Sequence, residues 1–205
     1  YNNSNINIYG GTFENNKAAN GGVVFNVYTL KITKGKFLSN AATTHGGAIY
    51  QSNSGNASVT ICKKGAEKGE SVLFKGNTAK KDGGAIFAHT SGNVVIFGGA
   101  IFNSNKASDN GGAIAAYGAC IVSNTIFSKN TGYDKGGAVY VVTSNKELKA
   151  RVCSFENCEF KSNISVQGGA AALTAKSTSL KSGGKASFIN CKFTSNKATS
   201  KAKAD

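Results

Sequence analysis

The chain has no proline, methionine or tryptophan, and of its 24 lysine and arginine residues only one, Arg151, is an arginine. Proteins that read nucleic-acid bases or phosphates rely prominently on the planar guanidinium group, so this scarcity argues against that class. The net charge of +14 is compatible with weak attraction to any polyanion. A solvated, lysine-rich surface is the simpler interpretation of the charge.

Long apolar stretches and helical periodicity are also missing. No run of about 18 apolar residues occurs, so no segment is predicted to span a membrane as a helix. No segment shows apolar residues at a period of 3.6, which argues against repeats built from helices. At 205 residues the chain is long enough for a continuous core, and we expect a single domain over residues 1–205.

A tetrapeptide, Phe-x-x-Asn, recurs seven times, and a Gly-Gly pair follows six of these copies at a distance of eight or nine residues. The step from one motif phenylalanine to the next varies between 24 and 37 residues. A constant phrase with variable spacers indicates a repeating unit with one constrained corner and free loops, which is typical of a solenoid. The motif residues are Phe13 and Asn16, Phe37 and Asn40, Phe74 and Asn77, Phe102 and Asn105, Phe127 and Asn130, Phe160 and Asn163, and Phe193 and Asn196.

Short runs of alternating apolar and polar residues precede each motif. We therefore predict two strands that meet at a tight turn, and a third strand at each Gly-Gly-Ala-Ile/Val segment. The predicted fold is all-β, a right-handed parallel β-helix of about seven coils with three short strands each, about 30 Å long at the usual strand spacing. The inward column five positions before the motif is predicted to hold Ile8, Ile32, Phe97, Val122, Phe155 and Phe188.

Stacked coils give each motif residue a predicted structural role. The phenylalanines would stack as an aromatic column in the core. The asparagines would form a ladder of side-chain amides at a corner and satisfy backbone groups there. The two glycines would permit backbone angles or close contacts that a Cβ atom forbids. A second, shorter amide ladder is predicted at Asn124, Asn157 and Asn190.

Four of the five cysteines align in neighbouring coils. Cys120 and Cys153 lie seven residues before a motif phenylalanine, and Cys158 and Cys191 lie two residues before one. Stacked Cα atoms would lie near the lower end of the separation that disulfides accept, so two disulfides between coils are one possibility. A ladder of free, inward-facing thiols is an equal alternative, and Cys62 has no partner in either case.

Residues that could carry chemistry are sparse. Asp82, Asp109 and Asp134 lie one or two residues before Gly-Gly pairs in consecutive coils, where stacked carboxylates could hold a cation. Lysines beside them make a solvated corner of alternating charge the simpler interpretation. His45 and His89 have no acid or cysteine neighbour at a catalytic spacing. We therefore expect no catalytic site, no metal site and no cofactor.

The pairing of Phe-x-x-Asn with Gly-Gly-Ala and an aliphatic residue resembles the repeats of the chlamydial polymorphic membrane proteins, which are surface-exposed autotransporter passengers. The resemblance runs from Phe13 to Asn196 and departs from the pattern at Gly21, which leads into Val-Val, and at Gly168, which leads into Ala-Ala. It implies a segment of a larger extracellular or cell-surface protein, associated with the outer membrane in a bacterium, that contributes to adhesion.

Three functions follow as expectations. The leading one is a non-enzymatic adhesin or binding scaffold for a cell-surface protein or glycan receptor, with contacts from exposed faces and from loops at residues 51–71 and 143–151. An alternative is a structural part of an extracellular filament, coat or appendage in which like subunits stack end to end. The third is a carbohydrate-active β-helix enzyme, which would need a groove with convergent carboxylates.

Overall fold

The computed structural model describes residues 4–53, 57–62, 72–90, 92–144, 152–175 and 185–200. Within these residues every regular element is a β-strand, and 27 strands follow one another in the same order coil after coil. Each strand pairs in parallel with the strand four places later in the chain, so that four sheets run along a rod. Three of the sheets have seven strands and the fourth has six.

Coils 1 to 6 contribute one strand to each sheet, and coil 7 contributes a strand to three of them. Coils 1 and 2 contain β1 (Ile6–Ile8), β2 (Thr12–Glu14), β3 (Lys17–Ala18), β4 (Val24–Asn26), β5 (Thr29–Ile32), β6 (Gly35–Leu38), β7 (Ala41–Ala42) and β8 (Ile49–Gln51). Coils 3 and 4 contain β9 (Ser58–Ile61), β10 (Val72–Lys75), β11 (Thr78–Ala79), β12 (Ile86–Ala88), β13 (Asn93–Ile96), β14 (Ala100–Asn103), β15 (Lys106–Ala107) and β16 (Ile114–Ala116). Coils 5 to 7 contain β17 (Cys120–Ser123), β18 (Ile126–Ser128), β19 (Thr131–Gly132), β20 (Val139–Ser144), β21 (Val152–Glu156), β22 (Glu159–Lys161), β23 (Ile164–Ser165), β24 (Ala171–Ala175), β25 (Lys185–Ile189), β26 (Lys192–Thr194) and β27 (Lys197–Ala198).

The predicted parallel β-helix of about seven coils is confirmed. A complete coil has four strands rather than the predicted three, because a two-residue strand such as β11 follows each motif asparagine. Two residues are too few to show the apolar and polar alternation from which strands are recognised in a sequence. The third sheet consists entirely of these short strands, so no pattern in the sequence predicted it.

The motif phenylalanines form one continuous stack inside the rod. Neighbouring ring centroids lie between 4.7 and 5.1 Å apart, and the ring planes differ by at most 15°. The five rings in coils 2 to 6 have no exposed surface. Burial of each such ring contributes about 1.5–3 kcal/mol, and the offset contact with the ring above adds to that. This stack is the apolar axis around which each coil closes.

The motif asparagines form a parallel ladder at the corner that follows the stack, and Asn105 shows its geometry. Its Nδ2 donates to Asn130 Oδ1 and to the carbonyl oxygen of Phe74, both at 3.0 Å. Its Oδ1 accepts from the backbone N–H of Asn77 at 3.0 Å and from Asn77 Nδ2 at 2.9 Å. Both amide protons and both lone pairs are therefore used, in a side chain with no exposed surface. The amide-to-amide contact repeats without a break from Asn16 to Asn196.

Two positions of each corner require left-handed backbone. The residue directly before every motif asparagine has φ between 51° and 67°, and Lys129 shows that residues other than glycine accept it. The first glycine of each Gly-Gly pair has φ between 60° and 69°, as at Gly111. The second glycine is required by space, because a Cβ atom at Gly112 would lie 2.2 Å from the carbonyl oxygen of Gly137 in the next coil.

One residue in the predicted inward column is wrong. Ile96, and not Phe97, lies in register with Val122 and so occupies the core column. The corner of coil 4 contains Gly98 and Gly99, at φ 136° and 67°, and it is one residue longer than the corners used for the alignment. A fixed count back from the motif phenylalanine therefore selected the neighbouring residue.

The second predicted asparagine ladder is also wrong. Asn124, Asn157 and Asn190 have φ between 44° and 52°, and no hydrogen bond joins their side-chain amides in these described coils. Their positions are turns between the first and second sheets, where asparagine is favoured because it tolerates left-handed backbone. The same residue type thus has two different structural roles on the two sides of the motif phenylalanine.

We predict that Asn105→Ala destabilises the rod by about 2–4 kcal/mol, because the substitution leaves buried polar groups of Asn77 and Phe74 without their partner. The measurement is urea unfolding followed by circular dichroism, with Asn103→Ala as the matched control. Asn103 lies two residues away on the solvent side of the same corner, and its loss should cost about 0.5 kcal/mol or less. Equal effects of the two substitutions would show that the ladder does not support the fold.

Candidate functional site

The repeated motif residues face the interior, so any binding surface must be built from the columns between them. The third sheet carries a concave surface. In coils 3 and 4 an exposed residue, a buried small residue and another exposed residue follow one another, as in Lys106, Ala107 and Ser108. Coils 2, 5 and 6 keep the buried small residue and have one of its two neighbours half-buried. Two parallel rows of outward side chains therefore border a channel whose floor is made of small residues.

This channel, which we call the axial groove, has a volume of about 1000 Å³ and runs from Lys17 in coil 1 to Thr199 after β27. At the spacing of stacked strands, six coil intervals correspond to a length of about 29 Å. Its floor includes Ala42, Ala79 and Gly132. A Cβ atom at Gly132 would point into the Gly-Gly corner, 2.6 Å from the carbonyl oxygen of Gly136, so small residues are required there by packing. No sequence motif marked the groove, because its bordering rows vary from coil to coil.

The axial groove has a basic lining with one aromatic ring. Lys17, Lys80 and Lys106 line it and are all exposed, and its described lining includes no acidic side chain. Tyr133 is 46% exposed on the same wall as Lys80. The ammonium group of Lys106 lies 5.0 Å from the centre of the Tyr133 ring, a cation–π contact across the groove. The groove thus combines positive charge with a flat apolar surface.

A second cluster lies at the residues that directly precede the Gly-Gly pairs. His45 Nδ1 lies 3.6 Å from Asp82 Oδ2 and accepts a hydrogen bond from the backbone N–H of Asp82 at 3.4 Å. The other carboxylate oxygen accepts from the backbone N–H and the Nδ2 of Asn110, at 3.1 and 2.8 Å, and Oδ2 accepts from the Tyr117 hydroxyl at 3.1 Å. The nearly buried carboxylate of Asp82 thus links three consecutive Gly-Gly corners and, through Tyr117, the turn after β16.

Burial and charge act in opposite directions on the cluster's titratable groups. Burial lowers the pKa of His45 below its usual value of 6.5, and the negative charge of Asp82 partly opposes that shift. Burial, followed by the charge of Asp82, raises the pKa of the Tyr117 hydroxyl. The imidazole is therefore neutral at pH 7 and packs on the ring of Phe87, with centroids 4.4 Å apart. At neutral pH the cluster therefore joins neighbouring coils through hydrogen bonds.

His45 has no acid at a catalytic spacing in the sequence, but the fold gives it an acidic neighbour in space, Asp82. Asp82 is 37 residues away in the chain but occupies the equivalent position one coil later. The signal was present in the sequence, because both residues directly precede a Gly-Gly pair and equivalent positions stack in a β-helix. A search for catalytic spacings within one stretch of chain cannot detect contacts between coils.

The possible cation site at the three aspartates does not form a single column. Asp82 precedes its glycine directly, whereas Asp109 and Asp134 lie two residues before theirs and stack on one another, with the Asp134 N–H donating to the Asp109 carbonyl at 2.8 Å. Asp134 pairs with Lys135 at 3.1 Å. Among the described residues, no group of three or more potential metal ligands comes together.

No disulfide joins any of the five cysteines in the structure, so the thiol-ladder alternative describes it. Cys120 and Cys153 are directly paired in register on β17 and β21. Parallel neighbours point the same way at the strand spacing of about 4.8 Å, wider than the Cβ separation of about 3.8 Å in a disulfide. The thiols of Cys158 and Cys191 instead donate to backbone carbonyls, at 3.3 to 3.6 Å. Burial raises the pKa of Cys62 to about 11.

The two predicted contact loops lie mainly outside the described residues. The structure describes residues 51–53 and 57–62 of the first loop, and residues 143 and 144 of the second. The remaining residues of both loops stay candidates from the sequence alone.

Comparison with known families tests the resemblance directly. The family model of the Chlamydia polymorphic membrane protein repeat matches residues 71–89 and 124–142. These two stretches are similar to that repeat. The predicted resemblance is thereby confirmed. The matches lie in coils 3 and 5, and each covers the motif strand and the asparagine corner, with all of the Gly-Gly strand β12 in coil 3 and the start of β20 in coil 5. No curated protein and no solved structure matches the chain.

We predict that an NMR titration places the His45 midpoint below 6.5 and that Asp82→Asn lowers it further, because the substitution removes the main charge that favours protonation. Since the folded-state pKa is depressed, the stability that the neutral ring contributes is present above pH 6.5 and is lost as the pH falls through the folded pKa. His89, whose pKa is lowered by burial alone, is the internal control and should not respond. A rise of the His45 midpoint in Asp82→Asn would contradict the geometry.

We predict that brief iodoacetamide treatment of the folded protein labels Cys191 first, because Cys191 is partly exposed while the other four thiols are buried. Peptide mass spectrometry without reduction should find no cysteine pair joined by a disulfide, and denaturation should make all five thiols reactive. A recovered peptide pair linking Cys120 to Cys153 would show that the oxidised form exists.

Proposed function

We propose that the chain is a β-helical scaffold that contributes to adhesion at the outside of a cell. The polymorphic membrane protein repeats and the parallel β-helix fit a surface or autotransporter-passenger scaffold. The observation that supports the adhesive role is that inward and outward side chains of each coil differ in what they contact. The motif side chains form the ring stack and the amide ladder inside the rod. The outward columns of side chains are therefore available for contact with a partner.

The outward columns vary strongly while the inward ones repeat. The motif column holds phenylalanine in every coil, whereas one wall of the axial groove changes from Thr43 through Lys80 and Ser108 to Tyr133. A solenoid presents such variable positions on one extended surface, which is how repeat proteins form binding faces. This supports a binding role for the faces of the rod, in addition to the loops named above.

A non-enzymatic function is part of this proposal. Hydrolysis of glycosidic bonds uses a pair of carboxyl groups on either side of the scissile bond. The described lining of the axial groove offers lysines and hydroxyls instead. The carboxylate of Asp82 is occupied as an acceptor by Asn110 and Tyr117, which supports a bracing role for the His45 cluster.

End-to-end assembly is the second candidate function. In coil 7, Phe188 is 37% exposed and Phe193 is 48% exposed, and they stack on Phe155 and Phe160 of the preceding coil. A like ring stacked on each of them would continue these contacts, which is what end-to-end assembly requires. No helix among the described residues is long and apolar enough to span a membrane.

The purified chain is expected to bind intact host cells saturably, with binding displaced by excess unlabelled chain. A disordered lysine-rich peptide of equal net charge is the control, and it should displace little of the bound protein because it has charge without a folded surface. Uptake that rises linearly with concentration, or complete displacement by the peptide, would refute the adhesive function. Light scattering on the same samples would reveal the concentration-dependent growth that end-to-end assembly requires.

A further inference from the structure

We propose that the axial groove binds an extended anionic polysaccharide, with the chain of sugars lying parallel to the axis of the rod. The inference rests on the proposed adhesive function and assigns to it a class of ligand and a location. It is carried by the shape of the groove, by its charge and by the kinds of side chain that line it.

The shape of the groove favours a polymer over a compact ligand. The channel is continuous along the third sheet for about 29 Å at the usual strand spacing, and its floor of small residues includes Ala42, Ala79 and Gly132. The floor strands are already paired on both sides, as β11 is with β7 and β15. An acidic peptide could therefore not add to this sheet as an extra strand, which is the common way in which extended peptides bind.

The charge of the groove favours an anion. Lys17 lies in coil 1, Lys80 in coil 3 and Lys106 in coil 4, so the three ammonium groups are distributed over about 14 Å along the axis. The nearest acids in the sequence follow the wall residues Ser108 and Tyr133, and the second of these, Asp134, is paired with Lys135. Separated cations without a guanidinium fork suit dispersed carboxylate or sulfate groups.

The remaining lining residues favour a sugar chain over a nucleic acid. Proteins that hold single-stranded nucleic acid stack successive bases on several aromatic rings. Tyr133 is the sole aromatic residue in the described lining of the axial groove. Most of the other polar residues are hydroxyl-bearing, among them Thr43, Thr78 and Thr131, which can both donate to and accept from sugar hydroxyls. The Tyr133 ring, covered in part by Lys106, offers a flat face for the apolar side of one sugar ring.

The test compares two triple variants with the same loss of charge. K17S/K80S/K106S removes the groove lysines, and K31S/K36S/K161S removes exposed lysines from the first and second sheets. Binding to heparin and to polygalacturonate is measured by calorimetry at one ionic strength, with neutral dextran and single-stranded polyadenylate as comparison polymers. Circular dichroism confirms that each variant is folded.

The groove variant is expected to lose affinity for both anionic polysaccharides by about tenfold or more, and the control variant by about twofold or less. Affinity for heparin fragments should rise with length until a fragment spans from Lys17 to Lys106. Tyr133→Ala should weaken binding while Tyr133→Phe retains it, and Tyr28→Ala, at a residue that is 43% exposed away from the groove, should have no effect.

Two results would overturn the inference. Equal losses in the two triple variants would mean that charge anywhere on the rod attracts the polymer, and tighter binding of polyadenylate than of either polysaccharide would assign the groove to nucleic acid. The outcome is separable from that of the proposed function. If K17S/K80S/K106S still binds cells saturably, the adhesive function stands and the axial groove has no part in it. If the groove binds polysaccharide but the chain does not bind cells saturably, the groove inference stands and the adhesive function is refuted.

Discussion

The hydrogen bond from one asparagine amide to the next is the contact on which the rest of the rod depends. It closes the corner after the motif strand, where a turn of backbone would otherwise bury polar groups without partners. Asn105 satisfies the carbonyl of Phe74 one coil earlier and the backbone N–H of Asn77 in that same coil, so a single side chain fixes the register of two coils. Because that register decides which residues lie above one another, it also aligns the phenylalanine stack and the walls of the axial groove.

The inner half of each coil was predictable from the sequence, because inward positions obey a constraint that repeats. Every coil must place a ring at the Phe102 position and an amide at the Asn105 position. The same residue types therefore recur along the sequence, and the repeat can be detected from them. The slip from Ile96 to Phe97 shows where this logic ends, since one extra corner residue shifts a fixed count without changing the fold. The two-residue strands of the third sheet were invisible because nothing alternates over so short a length.

The outer half was not predictable in the same way. The axial groove is formed by residues such as Lys80 and Tyr133, which share a position in successive coils and little chemistry, so no pattern identifies them. The pair His45 and Asp82 could have been found by aligning the residues that precede each Gly-Gly pair. Contacts between coils become readable once the period is known, whereas the concavity of a surface depends on the backbone path itself.

The asparagine ladder also gives the rod a direction. All six amide-to-amide hydrogen bonds point the same way, from the Nδ2 of one coil to the Oδ1 of the coil that follows it in the chain. Each side-chain amide therefore turns its oxygen toward coil 1, and aligned amide dipoles add along their common axis and polarise one another. The end at coil 1 is the negative pole and the end at coil 7 the positive one.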